Sequence, residues 1–253
     1  MPAAYDNFDY PLYWKGRDYE HLSETIALEH FLKRIGKINT VVDIGGGFGR
    51  LTPIYKDYAD KIILTDPSKK LLNIAKKNLK TNKINFINAS YRNLPKKIKT
   101  GSIDLVVLIR VLHHIKEPKD IIEVAGKLLK KDGYFILEFA NKRHIKASLS
   151  EFLRGNFTFI LDIFPKDINS AMSKRKKTLP FFNYHPDKIK DFLTSSGFEI
   201  LELRSVSNIR VPLIKKIIPL QLQITIEKKL QKIFARASLG PSIFYLAQKR
   251  INI

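Results

Sequence analysis

Asp43-Ile44-Gly45-Gly46-Gly47-Phe48-Gly49 is the stretch that decides how this chain folds. Val41, Val42 and Ile44 read as a short buried strand before it, and Arg50 to Tyr55 starts a helical pattern after it. A strand, a glycine turn and a helix start let backbone N–H groups approach a ligand without side chains in the way. A dinucleotide fingerprint would read G-x-G-x-x-G. From Gly45 the sixth position is Arg50, and from Gly47 it is Thr52, so neither register satisfies it. The pattern present is D-x-G-x-G-x-G, carried by Asp43, Gly45, Gly47 and Gly49.

The next strand adds an independent signal. Lys61 to Thr65 is a β-rich run that ends at Asp66. A carboxylate at the tip of the second strand is placed to accept from both hydroxyls of a ribose, so Asp66 points to a nucleoside ligand. The glycine spacing then says which kind. It resembles motif I of the class I S-adenosylmethionine (SAM) methyltransferases, in which the loop packs against the amino-acid end of SAM and the acid helps to hold its ammonium group.

The resemblance runs on through Leu94-Pro95, Ser102-Ile103-Asp104, Leu112-His113-His114-Ile115 and Leu128 to Gly133, the order of the small-molecule, methyltransferase type 11-like members. It implies a Rossmann-like, doubly wound α/β sheet of seven strands, mostly parallel with an antiparallel last strand and with helical insertions. SAM is the implied cofactor. Asp43, Gly45, Gly47, Gly49 and Asp66 are its implied contacts, with Ser90, where relatives often carry an acid for the adenine amino group, and Tyr91 following it. Arg17, in an aromatic arm with Tyr13, Trp14 and Tyr19, is expected to pair with the SAM carboxylate if the arm forms a lid; the alternative is that Trp14 and the tyrosines simply pack on the sheet.

The remaining elements follow from periodicity. Tyr19 to Ile35 is an amphipathic helix, and Ser68 caps a helix bearing Leu71, Leu72, Ala75 and Leu79. Ile84 to Ile87 and Leu105 to Ile109 are strands, Lys119 to Lys130 is a helix stopped at Asp132-Gly133, and Tyr134 to Phe139 is the fifth strand. A helix from Pro186 to a stop at Gly197 leads to Phe198–Leu203 as the sixth strand, and Ser242–Gln248 is the seventh. One domain over 1–253 is expected: an N-terminal arm and helix (1–35), a SAM-binding core (36–140), an insertion without a clear strand (141–184), and a C-terminal part (185–253) with a second insertion at 204–240.

Methyl transfer from a sulfonium is an in-line displacement that needs alignment and exclusion of water more than a dedicated catalytic group. A base helps if the acceptor is a hydroxyl or ammonium, and His114, just beyond the fourth strand, is the candidate. Glu138 sits in the fifth strand, His144 beyond its end is a weaker candidate, and His185 is explained by the start of the following helix. No metal site is read, since Arg110 and Asn141 stand where metal-dependent relatives place acids.

Composition bounds the rest. The chain has 253 residues, 44% of them hydrophobic, and no cysteine, which excludes disulfides, thiolate metal sites and cysteine nucleophiles. Met1 to Tyr10 has acids and no basic residue, so it does not read as a secretory signal, and a cytoplasmic protein is expected. The net charge of +21 is uneven: −1 over 1–40, +9 over 41–140 and +13 over 141–253. Such a field favours anionic partners or serves only to solvate the surface. Arg210 to Leu220 pairs a basic face, with Lys215 and Lys216, with exposed-looking aliphatics, which suits a small-molecule or lipid-like acceptor and peripheral contact with an anionic inner membrane surface. An RNA or protein methyltransferase, using Lys174 to Lys177 among others, and a SAM-binding protein without catalysis are the alternatives.

Overall fold

The computed structural model describes residues 6, 9–169 and 179–250. The apolar run after Asp104 forms its centre, as β4 (Ile103–Leu108). Val106 and Leu108 join one core and Leu105 and Val107 the other, so the run is continuous because both faces of the strand are covered.

The chain begins with a single helical turn, α1 (Tyr10–Tyr13), and the amphipathic helix α2 (Asp18–Ile35). The first half of the sheet is β1 (Ile38–Ile44), β2 (Ala59–Asp66), β3 (Ile84–Asn88) and β4, with α3 (Thr52–Tyr55) and α4 (Lys69–Asn78) between them. α5 (Pro118–Leu128) and β5 (Leu129–Ala140) follow. The rest comprises α6 (Ile145–Leu153), β6 (Lys166–Asp167), β7 (Phe182–Asn183), α7 (Pro186–Ser195), β8 (Phe198–Val206), α8 (Pro212–Ile217), α9 (Leu220–Ala235) and β9 (Ser242–Lys249).

Seven strands pair in the order β3-β2-β1-β4-β5-β9-β8. The β1–β5 pairings are parallel, and β9 runs antiparallel to both β5 and β8, as the sequence implies. The order reverses between β1 and β4, and a crevice opens beyond the carboxyl ends of those two strands. Buried side chains of α2 and α4 close one face, including Leu28, Phe31, Leu72 and Ala75. Ile121, Ile122 and Ala125 of α5 and Ile189 and Leu193 of α7 close the other. Ser68 caps α4 as expected, its Oγ accepting from the Leu71 amide at 3.1 Å.

Three local expectations need correction. The helix after the glycine loop is one turn, Thr52–Tyr55, because the chain must turn back into β2 at Ala59. α5 ends at Leu128 and β5 begins at once, since Leu129 already pairs with Ile103; the left-handed residue is Asp132 (φ 61°), not Gly133. The first insertion contains a two-residue strand pair, Lys166–Asp167 with Phe182–Asn183. Lys174 to Lys177 lie outside the described residues. Among the described residues no helix is long and apolar enough to cross a membrane.

Candidate active site

The glycine loop is built from three residues that need positive φ: Gly45 at 73°, Gly47 at 58° and Gly49 at 77°. The Gly45 and Gly46 amides both donate to the Thr65 carbonyl, at 2.8 and 3.1 Å, which ties the loop to β2. The glycines have different reasons. A Cβ at Gly45 would lie 2.4 Å from Val111 Cγ2, and one at Gly49 would lie 2.4 Å from Leu79 Cδ1. A Cβ at Gly47 would meet nothing nearer than Leu71 at 3.7 Å. Gly45 and Gly49 therefore serve packing, and only Gly47 keeps open space empty.

That space is a cavity of about 290 Å³ lined by Gly45, Gly47, Asp66, Ser90, Tyr91 and His114, among others. Six sequence-named residues thus share one wall. Asp66 is buried there and anchored by two amides: Gly47 N–H donates to Oδ2 at 3.0 Å and Ser68 N–H to Oδ1 at 2.7 Å. Burial pushes its carboxyl up to about 6. Asp43 stands behind the loop, beside a small recess shared with Gly45, Arg50 and Arg110, and burial pushes it up to about 7.

A second cavity of about 360 Å³ adjoins the first, and Arg110 lines both. Its wall includes Arg17, His113, Glu138, His144 and Arg210. Arg17 is therefore on the second cavity, its guanidinium 4.0 Å from the centre of the Tyr13 ring, and not beside the glycine loop. Arg50 and Arg110, and not Arg17, line the small recess with Asp43 and Gly45.

Sequence reasoning missed what holds those two arginines. Glu24 of α2 is fully buried between them: Arg110 Nε donates to its Oε1 at 2.6 Å, and Arg50 pairs with its Oε2. Burial opposes the charge on Glu24, but the guanidiniums of Arg110 and Arg50 overcome it and hold the carboxyl below its usual value. Arg50 also stacks on Trp14 at 3.5 Å. One signal was available. Glu24 falls on the same helical stripe as Ala27, Leu28 and Phe31, where a carboxylate needs a buried partner. Arg110 sits at φ 62°, and its amide donates to Glu138 at 2.8 Å.

The two histidines divide between the cavities: His113 lines the second and His114 the first. His114 Nδ1 lies 2.7 Å from the Pro180 carbonyl, while the His113 ring stacks on Phe181 at 4.4 Å. This places His113, and not His114, on the wall away from the glycine loop. Burial depresses the pKa of both imidazoles, and that of His113 well below the usual value. His144 caps α6, accepting from the Ala147 amide at 3.2 Å, and burial lowers it to about 4. His185 caps α7 by accepting from the Asp187 amide at 3.3 Å, as expected.

Of the aromatic arm, Trp14 and Tyr19 are buried. Tyr19 Oη donates to Glu227 at 2.5 Å and accepts from the Ile209 amide at 2.8 Å, which fixes it in the fold. Tyr13 is exposed at the cavity edge.

A family model described as a methyltransferase domain matches residues 42–137, from β1 into β5. The chain is 24% identical over 166 residues to a tRNA 5-carboxymethoxyuridine methyltransferase of Escherichia coli O157:H7, covering 64% of this chain and only 60% of that enzyme's length. It is 22% identical over 188 residues to a ubiquinone biosynthesis O-methyltransferase of Coxiella burnetii, covering 74% of this chain and 75% of that one. In fold it is similar to a SAM-dependent methyltransferase of Archaeoglobus fulgidus, with a TM-score of 0.60 and 14% identity over 95% of this chain and 100% of that one.

Proposed function

We propose that this chain, which belongs to the class I SAM-dependent methyltransferases, moves a methyl group to a small-molecule or lipid-like acceptor held in the second cavity. The observation that carries this reading is the pair of adjoining cavities: one is lined by the glycine loop and Asp66, the other by His113, and Arg110 stands between them.

The residues of the first cavity suit the cofactor. Gly47 leaves open the space that a Cβ would fill, and Asp66, which lines that cavity, keeps lone pairs on both oxygens that could accept from two ribose hydroxyls. Asp43, buried and without a lysine or arginine in ion-pair contact among the described residues, would be matched by the ammonium group, and Arg50 and Arg110 by the carboxylate. Ser90 and Tyr91 border the adenine end. When bound, SAM supplies a methyl group activated by its sulfonium.

The protein's own contribution is placement and proton management. Arg110, with its backbone in the left-handed region, keeps one wall common to both cavities. His113, neutral near pH 7, would take the proton released by a hydroxyl or amine acceptor. The lipid-like reading draws on the exposed aliphatics of α8 and on the relative named for ubiquinone biosynthesis. The tRNA-modifying relative and the charge of +21 favour RNA as the second reading.

The test is to incubate the protein and methyl-labelled SAM with cell extract, then separate lipids, small metabolites, RNA and protein. Label in the lipid or metabolite fraction is expected. Label confined to RNA replaces that acceptor with the second reading, and SAM binding without label in any fraction makes the chain a non-catalytic SAM-binding protein.

A further inference from the structure

α6 carries its apolar stripe on the outside. Ile145, Leu149, Phe152 and Leu153 recur at i, i+4, i+7 and i+8, all exposed, and no residue of the helix is buried. A surface helix normally turns that stripe to the core. The chain beyond continues the surface: Phe157, Leu161 (78% exposed), Ile163 and Phe164 (74%) all face outward.

This is an anchored surface and not a frayed end. Lys142, itself buried, donates to the backbone carbonyls of Asp162 and Phe164 at 2.8 Å each and pairs with the Asp162 carboxylate at 2.6 Å. His185 Nε2 lies 2.9 Å from the Ile160 carbonyl, and Phe159 turns inward as a buried peg. The polar groups of the loop are therefore satisfied from below, while its large apolar tips are held out to solvent.

α8 repeats the arrangement on a smaller scale, with Val211, Leu213 and Ile217 exposed and no buried residue. The two surfaces border one opening. His144 precedes α6 and Arg210 lies just before α8, both line the second cavity, and burial first and then the charge of Arg210 depress the His144 imidazole.

We infer that α6 with residues 154–168, together with α8, forms a docking surface for an anionic membrane, so that the second cavity opens toward the bilayer. This rests on the reading that the second cavity takes the acceptor, and it makes that acceptor one that partitions into lipid. Charge selects this occupant over a second copy of the chain. At +21, two copies repel, whereas a negative surface attracts. Lys146, Arg154 and Lys216 lie among the apolar tips, where they would meet headgroups as the aliphatic and aromatic side chains enter the acyl boundary.

The test uses the full chain and sedimentation with vesicles of phosphatidylcholine, alone or with about one-third phosphatidylglycerol. Binding is expected to the anionic vesicles and to be weak on the neutral ones. The triple variant Leu153→Ser/Leu161→Ser/Phe164→Ser alters only exposed side chains and should lose at least about tenfold in vesicle affinity while keeping its SAM affinity by calorimetry. Absence of vesicle binding by a chain that binds SAM overturns the inference, as does binding that the triple variant leaves unchanged. A dimer in light scattering that the triple variant dissolves also overturns it, by assigning the surface to a second copy. Failure of the methyltransferase reading would show separately, as absence of SAM binding.

Discussion

The Gly47 amide donates to Asp66 Oδ2 at 3.0 Å, joining the loop after β1 to the acid at the tip of β2. The two strongest signals in the sequence are thus parts of one object. Gly47 needs φ near 58°, which costs an L-residue about 1–2 kcal/mol, yet a methyl group there clashes with no protein atom. Gly47→Ala should therefore stay folded and lose SAM affinity. Gly45→Ala and Gly49→Ala should instead lose stability, because their Cβ atoms meet Val111 and Leu79. Thermal unfolding and calorimetry on the three variants separate the cases. Unimpaired SAM binding by Gly47→Ala would remove the loop from the cofactor site.

Asp66 is expected to carry ribose recognition. Asp66→Ala is a poor test, because it also strips the Gly47 and Ser68 amides of their acceptor. Asp66→Asn keeps one oxygen and loses the charge, so SAM should weaken by about 1.5–3 kcal/mol, one charged hydrogen bond. The variant should also discriminate less against a 2′-deoxyribose analogue. Discrimination equal to that of the parent chain would place the ribose elsewhere.

Much of this architecture was legible because it is local. The parallel sheet follows from alternating strands and helices, its antiparallel last strand from the family resemblance, and the loop and Asp66 from spacing along one β-α-β unit. What escaped depends on long-range contact. Arg110 reads as the end of an apolar run, and only the fold reveals that its partner is Glu24, 86 positions away. Arg17 is matched to the cofactor by chemistry alone, and only the fold shows that it lines the second cavity while Arg50 and Arg110 line the recess beside Asp43 and Gly45. The outward stripe of α6 is equally hidden, since periodicity tells that a helix has an apolar face and not which way it points.

Glu24 should be a structural keystone of the site. Glu24→Gln leaves the guanidiniums of Arg50 and Arg110 facing each other, with side chains only 13% and 18% exposed. Removing one member of such a buried network costs about 3–5 kcal/mol. Urea unfolding should show a loss of that order. A loss below about 1 kcal/mol would mean that water screens the three charges as it does at a surface.

Asp43 and Asp66 predict an unusual pH response. Both carboxyls lie above their unfolded value of 3.8, at about 7 and about 6. Between those values the folded state binds more protons than the unfolded one, so their contribution to stability is full below pH 4 and is lost as pH rises toward 7. The ligand-free chain should lose part of its thermal stability between pH 5 and 7.5, and Asp43→Asn should flatten that slope. SAM binding should run the other way between pH 6 and 7.5, since its ammonium favours ionised Asp43. Calorimetry in buffers of different ionisation enthalpy should then report proton release. Proton uptake on binding would contradict the pairing.

The histidine pair gives the sharpest test of mechanism. The Pro180 carbonyl can only accept, so His114 Nδ1 carries the proton of that contact, and the ring is committed to holding the loop beside the first cavity. His113, stacked on Phe181, lines the other cavity and is neutral at pH 7, as a base must be before it acts. With the acceptor fraction identified by labelling, His113→Gln should lower kcat by about 10²-fold and leave SAM affinity intact. His114→Gln should chiefly weaken SAM, because its ring borders Gly45 and Tyr91 in the same cavity. The parent rate should stay level from pH 8 to 7 and fall only below the depressed His113 value. Should His114→Gln carry the kcat loss instead, the roles are exchanged and the loop must open during turnover. If neither substitution lowers kcat, the acceptor needs no base, and alignment of two bound groups across Arg110 is sufficient for transfer.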